Sequence, residues 1–453
     1  MTEALIDEET VHRVSEPGQA PEDRDLRLRQ VATTWWPLAL SWICMAAELP
    51  ALTAVVSRLP DPKVNLAAYG GVVFPLALII ESPVIMLLAA STALTTDRES
   101  YRRLYRIMMT AGLGLTVLHA LVAFTPLFDA VVGGVMHAPP DTIPGARLGL
   151  AIMLPWTWAI AHRRFHQGLL IRSGRARAVG LGTVLRIATV LSILAVCLRS
   201  GRLPGVAVAC LGVIGGVLVE LVFVAAVSRS AVAELGPRRT ADPPLTSRGF
   251  LGFYLPLVLT SLLSLLALPI VAAALGRMPR ALDSLAAWPA VDGILFILQS
   301  GGVALNEVVL ALLGRRGAHR TLKRFTVLLT MVLGSAGLLL ASSPLGGIWF
   351  AEVLGLRSEL VPLARLGLWI SVPVITLTPW ISWFQGRLLH ARRTRGVTEA
   401  TVINLLLTGS LLGTGIRLKW DPGLAIGAAA MTIGTIAQVF WLARRCRLLT
   451  PDR

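Results

Sequence analysis

Long apolar runs alternate with short, arginine-rich polar breaks along nearly the whole chain, and this alternation is its first structural signal. A helix crossing a hydrocarbon core of ~30 Å needs roughly 20 apolar residues. Twelve runs of that kind can be read, at 34–57, 66–95, 106–127, 146–170, 178–199, 204–228, 250–275, 284–313, 323–343, 362–388, 397–416 and 423–443. The pattern predicts an all-α membrane protein of twelve transmembrane helices. Two further apolar pieces, 127–137 and 345–354, are too short to span; each follows a proline, Pro126 or Pro344. They are expected as interfacial or re-entrant segments.

The pattern also repeats. Residues 37–188 reappear at 256–406, shifted by 219 positions and then by 218. Pro37, Pro50, Arg58 and Pro60 return as Pro256, Pro269, Arg277 and Pro279, and the run Ala146–Leu150 returns unchanged as Ala364–Leu368. Six spans fall in each copy, and an even number brings the chain back to its starting side. The copies are therefore parallel repeats related by an axis along the membrane normal, a plan typical of transporters. The expected organisation is a cytosolic tail over 1–30, one six-helix lobe over 31–228, a cytosolic linker over 229–248, a second lobe over 249–445 and a short tail over 446–453. Prolines within the spans of both copies, Pro50, Pro155, Pro269 and Pro373 among them, predict kinked helices, which fit a hinged machine or static packing.

Composition and charge add direction. Hydrophobic residues make up 55% of the chain, more than an ordinary soluble domain carries. The net charge of +16 would suggest nucleic acid in a soluble protein, but its placement explains it otherwise. With the N-terminus inside, cytoplasmic segments hold 30 of the 42 Lys and Arg residues and outer loops hold 11. That bias follows the positive-inside rule and places both termini in the cytoplasm of a bacterial inner-membrane protein. The acid-rich start of the chain has no apolar core of a signal peptide. No nucleic-acid partner is expected, and the chain is expected to act as a monomer. The four cysteines have no metal-ligand spacing and suit core packing.

Charges at membrane depth are costly, so each is a functional candidate. Glu48, Glu81, Arg186, Glu220, Asp292 and Glu307 lie within spans. The repeat partners of Glu48 and Glu81 are Ala267 and Ser300, so the acids are asymmetric. Asp292 and Glu307 stand 15 residues apart, about 22 Å along a helix, and cannot share one small site. Glu48 and Asp292 could face one cleft, coupling transport to H+ or Na+ or touching solute; the alternative is an internal ion pair of Glu48 with Arg186 or a neighbouring arginine. Arg147 and Arg365 occur in both copies, each opening a span at its outer end. They either snorkel to headgroups or form a symmetric pair suited to a phosphate or carboxylate. His119 lies mid-span; His162 and His166 share one helical face but lack a third ligand, so no metal is expected. No catalytic constellation stands out, and no lysine follows a glycine, so a Walker A loop is excluded. The chain is expected to be no enzyme and to need no cofactor.

The runs Leu66–Gly70, Leu118–Ala120, His166–Leu170, Trp288–Pro289 and Val361–Val374, with the Glu48 region before Arg58, resemble the progressive ankylosis protein family. That family lies in the multidrug/oligosaccharidyl-lipid/polysaccharide flippase superfamily. The resemblance implies a MATE-like fold, two six-helix lobes around a V-shaped cleft, and export of pyrophosphate or related anions, nucleotides and citrate included. It implies Glu48, His119, His166, Arg147 and Arg365 as cleft residues. The buried acids and the arginines at the inner end of the fourth span depart from the animal pattern. The expectation is a secondary transporter exporting a small anionic solute by alternating access, with Arg147, Arg365, Arg186, His119 and His166 toward solute. Glu48, Asp292, Glu81, Glu307 and Glu220 would couple or gate. The alternatives are proton- or sodium-coupled export of cationic drugs, and flipping of lipid-linked sugars.

Overall fold

The computed structural model describes residues 25–237, 246–391 and 393–448. Residues 1–24, 238–245 and 449–453, parts of the expected tails and linker, lie outside the described residues. Among the described residues the chain is helical, without strands. The first half contains α1 (Leu28–Ala46 and Glu48–Val56), α2 (Pro62–Leu94), α3 (Arg98–Phe124), α4 (Ile143–Ile152 and Trp156–Arg172), α5 (Ala176–Ser200) and α6 (Gly205–Ala233). The second contains α7 (Ser247–Leu265 and Ala267–Leu275), α8 (Ala281–Leu312), α9 (Ala318–Ser342), α10 (Val361–His390), α11 (Arg395–Arg417) and α12 (Gly423–Arg447). Among the described residues eleven helices are long and apolar enough to cross a membrane. The region expected as the fourth span is divided instead. Pro155 has no N–H to continue the ladder, and the helix breaks between Ile152 and Trp156.

The helices are apolar outside as well as inside, as lipid rather than water would require. Val222, Leu406 and Phe440 are 68%, 66% and 73% exposed. α1 starts six residues before the apolar run because Leu26 and Val31 are buried against Leu305, Val308 and Leu322 of the second half. Polar caps finish some ends. Asp97 accepts from the N–H groups of Glu99 and Ser100 at the start of α3. Burial pushes its carboxyl up, but the bonds from Ser100, Thr96 and Glu99 outweigh it and hold the group below its ordinary value.

The duplication extends to the backbone. Asp61 and Arg280 are repeat partners, and both adopt left-handed φ, 48° and 52°. So do His137 and Gly355 (51° and 69°) and Gly201 and Lys419 (59° and 50°). Side-chain caps repeat too. Asn65 on α2 accepts from the N–H of Val206 at the start of α6; its partner Ser284 on α8 accepts from Leu424 at the start of α12. Pro50 and Pro269 interrupt α1 and α7 at equivalent places, Ala47 and Leu266.

The halves meet where repeat partners touch. A Cβ on Gly70 of α2 would stand 2.1 Å from Cγ of Pro289 on α8, and one on Gly71 would stand 2.9 Å from Leu285. Only glycine allows this approach. Farther along, the two helices part: Leu87–Leu94 of α2 packs on α3 and α4, while the last turns of α8 pack on α1, α9 and α10. Gly70→Ala is expected to lower stability by about 1–3 kcal/mol through overpacking. Gly114→Ala on α3, where nothing lies within 4 Å, is expected to cause no loss. Thermal unfolding of the two detergent-solubilised variants checks this; equal effects would contradict it.

Candidate functional site

Between the two halves the structure has a tied end and an opposite, parted end. At the tied end each half bears a mouth segment of wide, π-type helix, Asp129–Val135 in the first and Trp349–Val353 in the second. These occupy the places of the short apolar pieces expected from sequence. Arg58, at the end of α1, donates through Nη2 to the carbonyls of Glu352 (2.7 Å) and Val353 (3.1 Å) across the cleft. Its repeat partner Arg277, at the end of α7, donates in the reverse direction to the carbonyl of Val135. Each is steadied by its own helix, Arg58 at Ala54 (2.7 Å) and Arg277 at Ala273 (2.8 Å). Lys63 adds a third tie, to Asp283 and to Glu359 (3.3 Å).

Arg147 and Arg365 serve their own halves. Arg147 pairs with Asp129 at 2.9 Å and lies 4.2 Å over the ring of Phe128; Arg365 donates to the carbonyl of Ser343 at 3.3 Å. Arg147 holds the mouth segment of its half, and Arg365 holds the turn at Ser343 that leads into the other, uses that the shared sequence run alone did not reveal.

The first half buries a charged network. Arg186 on α5 pairs with Glu48 at 2.8 Å and approaches Glu220 on α6 at 3.5 Å. Glu220 also receives Arg163 at 2.6 Å and Gln167 at 2.8 Å, both from α4. The internal ion pair of Glu48 with Arg186 is therefore the arrangement found. Glu81 on α2 is buried, and its Oε2 has no hydrogen-bond partner among the described residues. Arg164 makes no ion pair there either, only a 3.5 Å bond to Gln167. His166 shares a 2.6 Å bond with Ser228, and its ring packs on His162 with centroids 4.5 Å apart. His119 lies apart from the network; its Nε2 is 3.0 Å from the carbonyl of Leu150, joining α3 to α4.

The second half carries a different site at the equivalent place. A cavity of about 430 Å³ is lined by the amides of Gln299, Asn306, Gln385 and Gln438, the hydroxyls of Thr378, Ser382 and Thr435, and the Glu307 carboxylate. Glu307 is the one ionisable lining residue, and Trp42 of α1 donates to it at 3.3 Å. Asn306 donates to Gln385 at 3.3 Å. Asp292, farther up α8, is half-buried and has neither ion pair nor hydrogen bond among the described residues. Glu48 is committed to Arg186, so the structure does not bring Glu48 and Asp292 together as a bonded pair.

The sites correspond residue by residue. Arg186 and Glu220 are the partners of Asn404 and Gln438, which form a neutral bridge of 2.7 Å between α11 and α12. Arg163, Gln167 and Glu48 correspond to Ile381, Gln385 and Ala267. One ancestral polar bridge is thus ionic in the first half and neutral in the second. The amides were missed as candidates in the sequence, and Arg163 and Arg164 stood out only within the arginine cluster at the inner end of the fourth span. Comparing copies position by position would have found them, since amides within apolar runs are themselves a signal.

No protein-family model and no curated protein matches the sequence. Solved structures do match. A multidrug resistance MATE family transporter of the MOP superfamily, inward-facing, overlays with a TM-score of 0.70 at 15% identity, covering 92% of this chain and 98% of that one. The fold is that of the MATE transporters. An outward-facing structure of a MATE family multidrug transporter gives 0.62 at 16% identity over 95% and 100% of the chains. The lipid II flippase MurJ in an inward closed conformation gives 0.63 at 13% identity over 92% and 87%.

Removing one member of a buried charge pair strands its partner and costs about 3–5 kcal/mol. Glu220→Gln is expected to do so by leaving Arg163 without its carboxylate. The combined variant E48A/R163I/R186N/E220Q, which transplants the second half's residues, is expected to lose less than E220Q alone. Thermal unfolding decides it; a combined loss equal to or larger than the single one would contradict the correspondence.

Proposed function

We propose that this chain is a secondary transporter of the bacterial inner membrane that works by alternating access between two six-helix lobes, 31–228 and 249–445. The arrangement described here is the one with the periplasmic mouth latched and the cytoplasmic side open. The arginine placement in the sequence supports this orientation. The solute is an organic molecule bearing a basic centre, and it enters the cavity of the second lobe. One observation carries that choice: the cavity's single ionisable group is the Glu307 carboxylate, set among amides and hydroxyls that can accept or donate as the solute requires. The face of Trp42 offers a surface on which a cation can rest. Coupling falls to the acids without a full set of partners, Glu81 and Asp292, which bind H+ or Na+ as the lobes rock. The balanced network of Glu48, Arg186, Glu220 and Arg163 holds the first lobe together.

An anionic solute is the second reading. It is favoured by the likeness to the progressive ankylosis family and by Arg164, which has no ion-pair partner among the described residues. Proteoliposome flux separates the two. A fluorescent organic cation is expected to move with a pH or sodium gradient, and Glu307→Gln is expected to reduce that flux at least about tenfold, the loss of one charge-assisted contact. Labelled pyrophosphate is expected not to move. Pyrophosphate flux abolished by Arg164→Gln and untouched by Glu307→Gln would reverse the assignment.

A further inference from the structure

A second cavity, of about 580 Å³, lies on the surface of the second half beside the first turns of α9. Arg320, Lys323 and Arg324 line it, and Leu28, Val327 and Leu328 form its apolar wall; no acidic residue lines it. The positions 320, 323, 324, 327 and 328 fall on one face of a helix. Three other cations at this end of the bundle are already engaged: Arg172 bonds the carbonyls of Thr92 and Ala93, Arg175 pairs with Glu234, and Arg445 pairs with Glu399. Arg320, Lys323 and Arg324 have no ion pair or hydrogen bond among the described residues. Beyond Leu328 the same side of α9 stays apolar and exposed through Met331 and Val332, at 63% and 61%. Arg320 to Val332 spans about 18 Å of helix, close to the ~15 Å of one hydrocarbon leaflet. Cations at the interface followed by an open apolar ridge match an anionic headgroup followed by an acyl chain. A free phosphate would use only the basic end.

We propose that this cavity binds an anionic phospholipid of the cytoplasmic leaflet, its phosphate held by Arg320, Lys323 and Arg324 and its chain laid along Val327, Leu328, Met331 and Val332. The inference rests on the membrane orientation proposed above but not on the nature of the transported solute, and its test involves no flux. Native mass spectrometry of the full chain, released from micelles with equal phosphatidylglycerol and phosphatidylethanolamine, is expected to show phosphatidylglycerol retained about tenfold over the neutral lipid. The variant R320Q/K323Q/R324Q is expected to lose that preference, and R102Q/R106Q, which changes the repeat-related pair on α3 outside the cavity, is expected to keep it. A photoactivatable phosphatidylglycerol on the unaltered protein is expected to label residues 319–332, a readout that does not depend on any variant folding. Equal retention of the two lipids, an unchanged preference in the triple variant, or labelling elsewhere would overturn the proposal. Displacement of the lipid by excess inorganic phosphate would reassign the cavity to a free anion.

Discussion

Two arginines exchanged between repeats set the shape of this molecule. Arg58 reaches from the first half to the second half's mouth segment, and Arg277 returns the contact. A guanidinium bonded to backbone carbonyls in this way is a charge-assisted contact, stronger than a neutral one and directional through its planar fork. Because each arginine is also fixed to its own helix, the two ties pull the ends of α1 and α7 against the opposite mouth segment. Gly70 and Pro289 then touch beneath the latch, and α2 and α8 diverge below that point. The cleft is a consequence of where the halves are joined.

The duplication supplied one polar scaffold, and the copies diverged in charge. In the first half the bridge between the fifth and sixth spans is an ion network; in the second it is Asn404 with Gln438. Buried ion pairs are expensive to desolvate and contribute little net stability, but they are intolerant of losing one member. The first half is accordingly suited to rigidity. The second half, with neutral amides around a single carboxylate, leaves room and uncommitted hydrogen-bonding capacity for a guest. The two halves thus share one backbone plan and differ in electrostatic character.

The spans were legible because period and length are local properties: most predicted runs begin or end within a few residues of a helix, and each half's mouth segment lies where the short apolar piece does. The repeat was legible because it is written in identical residues. The fourth span's break was less so, since a proline in an apolar run can kink or divide a helix, and the surrounding packing decides which. Site residues were the least legible. Glu48, Glu220 and Arg186 stood out as charges, but whether a charge faces a cleft or another charge depends on helix rotation, which no local pattern fixes. Arg147 and Arg365 read either as snorkelling residues or as an anion pair because they occur in both copies; their bonds within their own halves, to Asp129 and to Ser343, depend on packing that the sequence does not display. Arg58 and Arg277 were visible as repeat partners, yet their role required knowing that the two ends cross.

The most direct measurement is a pair of distance distributions by double electron–electron resonance in lipid nanodiscs. One spin-label pair, at Asp61 and Arg357, spans the mouth; the other, at Thr96 and Ala391, spans the opposite end. In R58Q/R277Q the account predicts a longer mouth distance together with a shorter distance at the far end, as the halves rock about their contact. Unchanged distances at both ends, or lengthening at both, would contradict it.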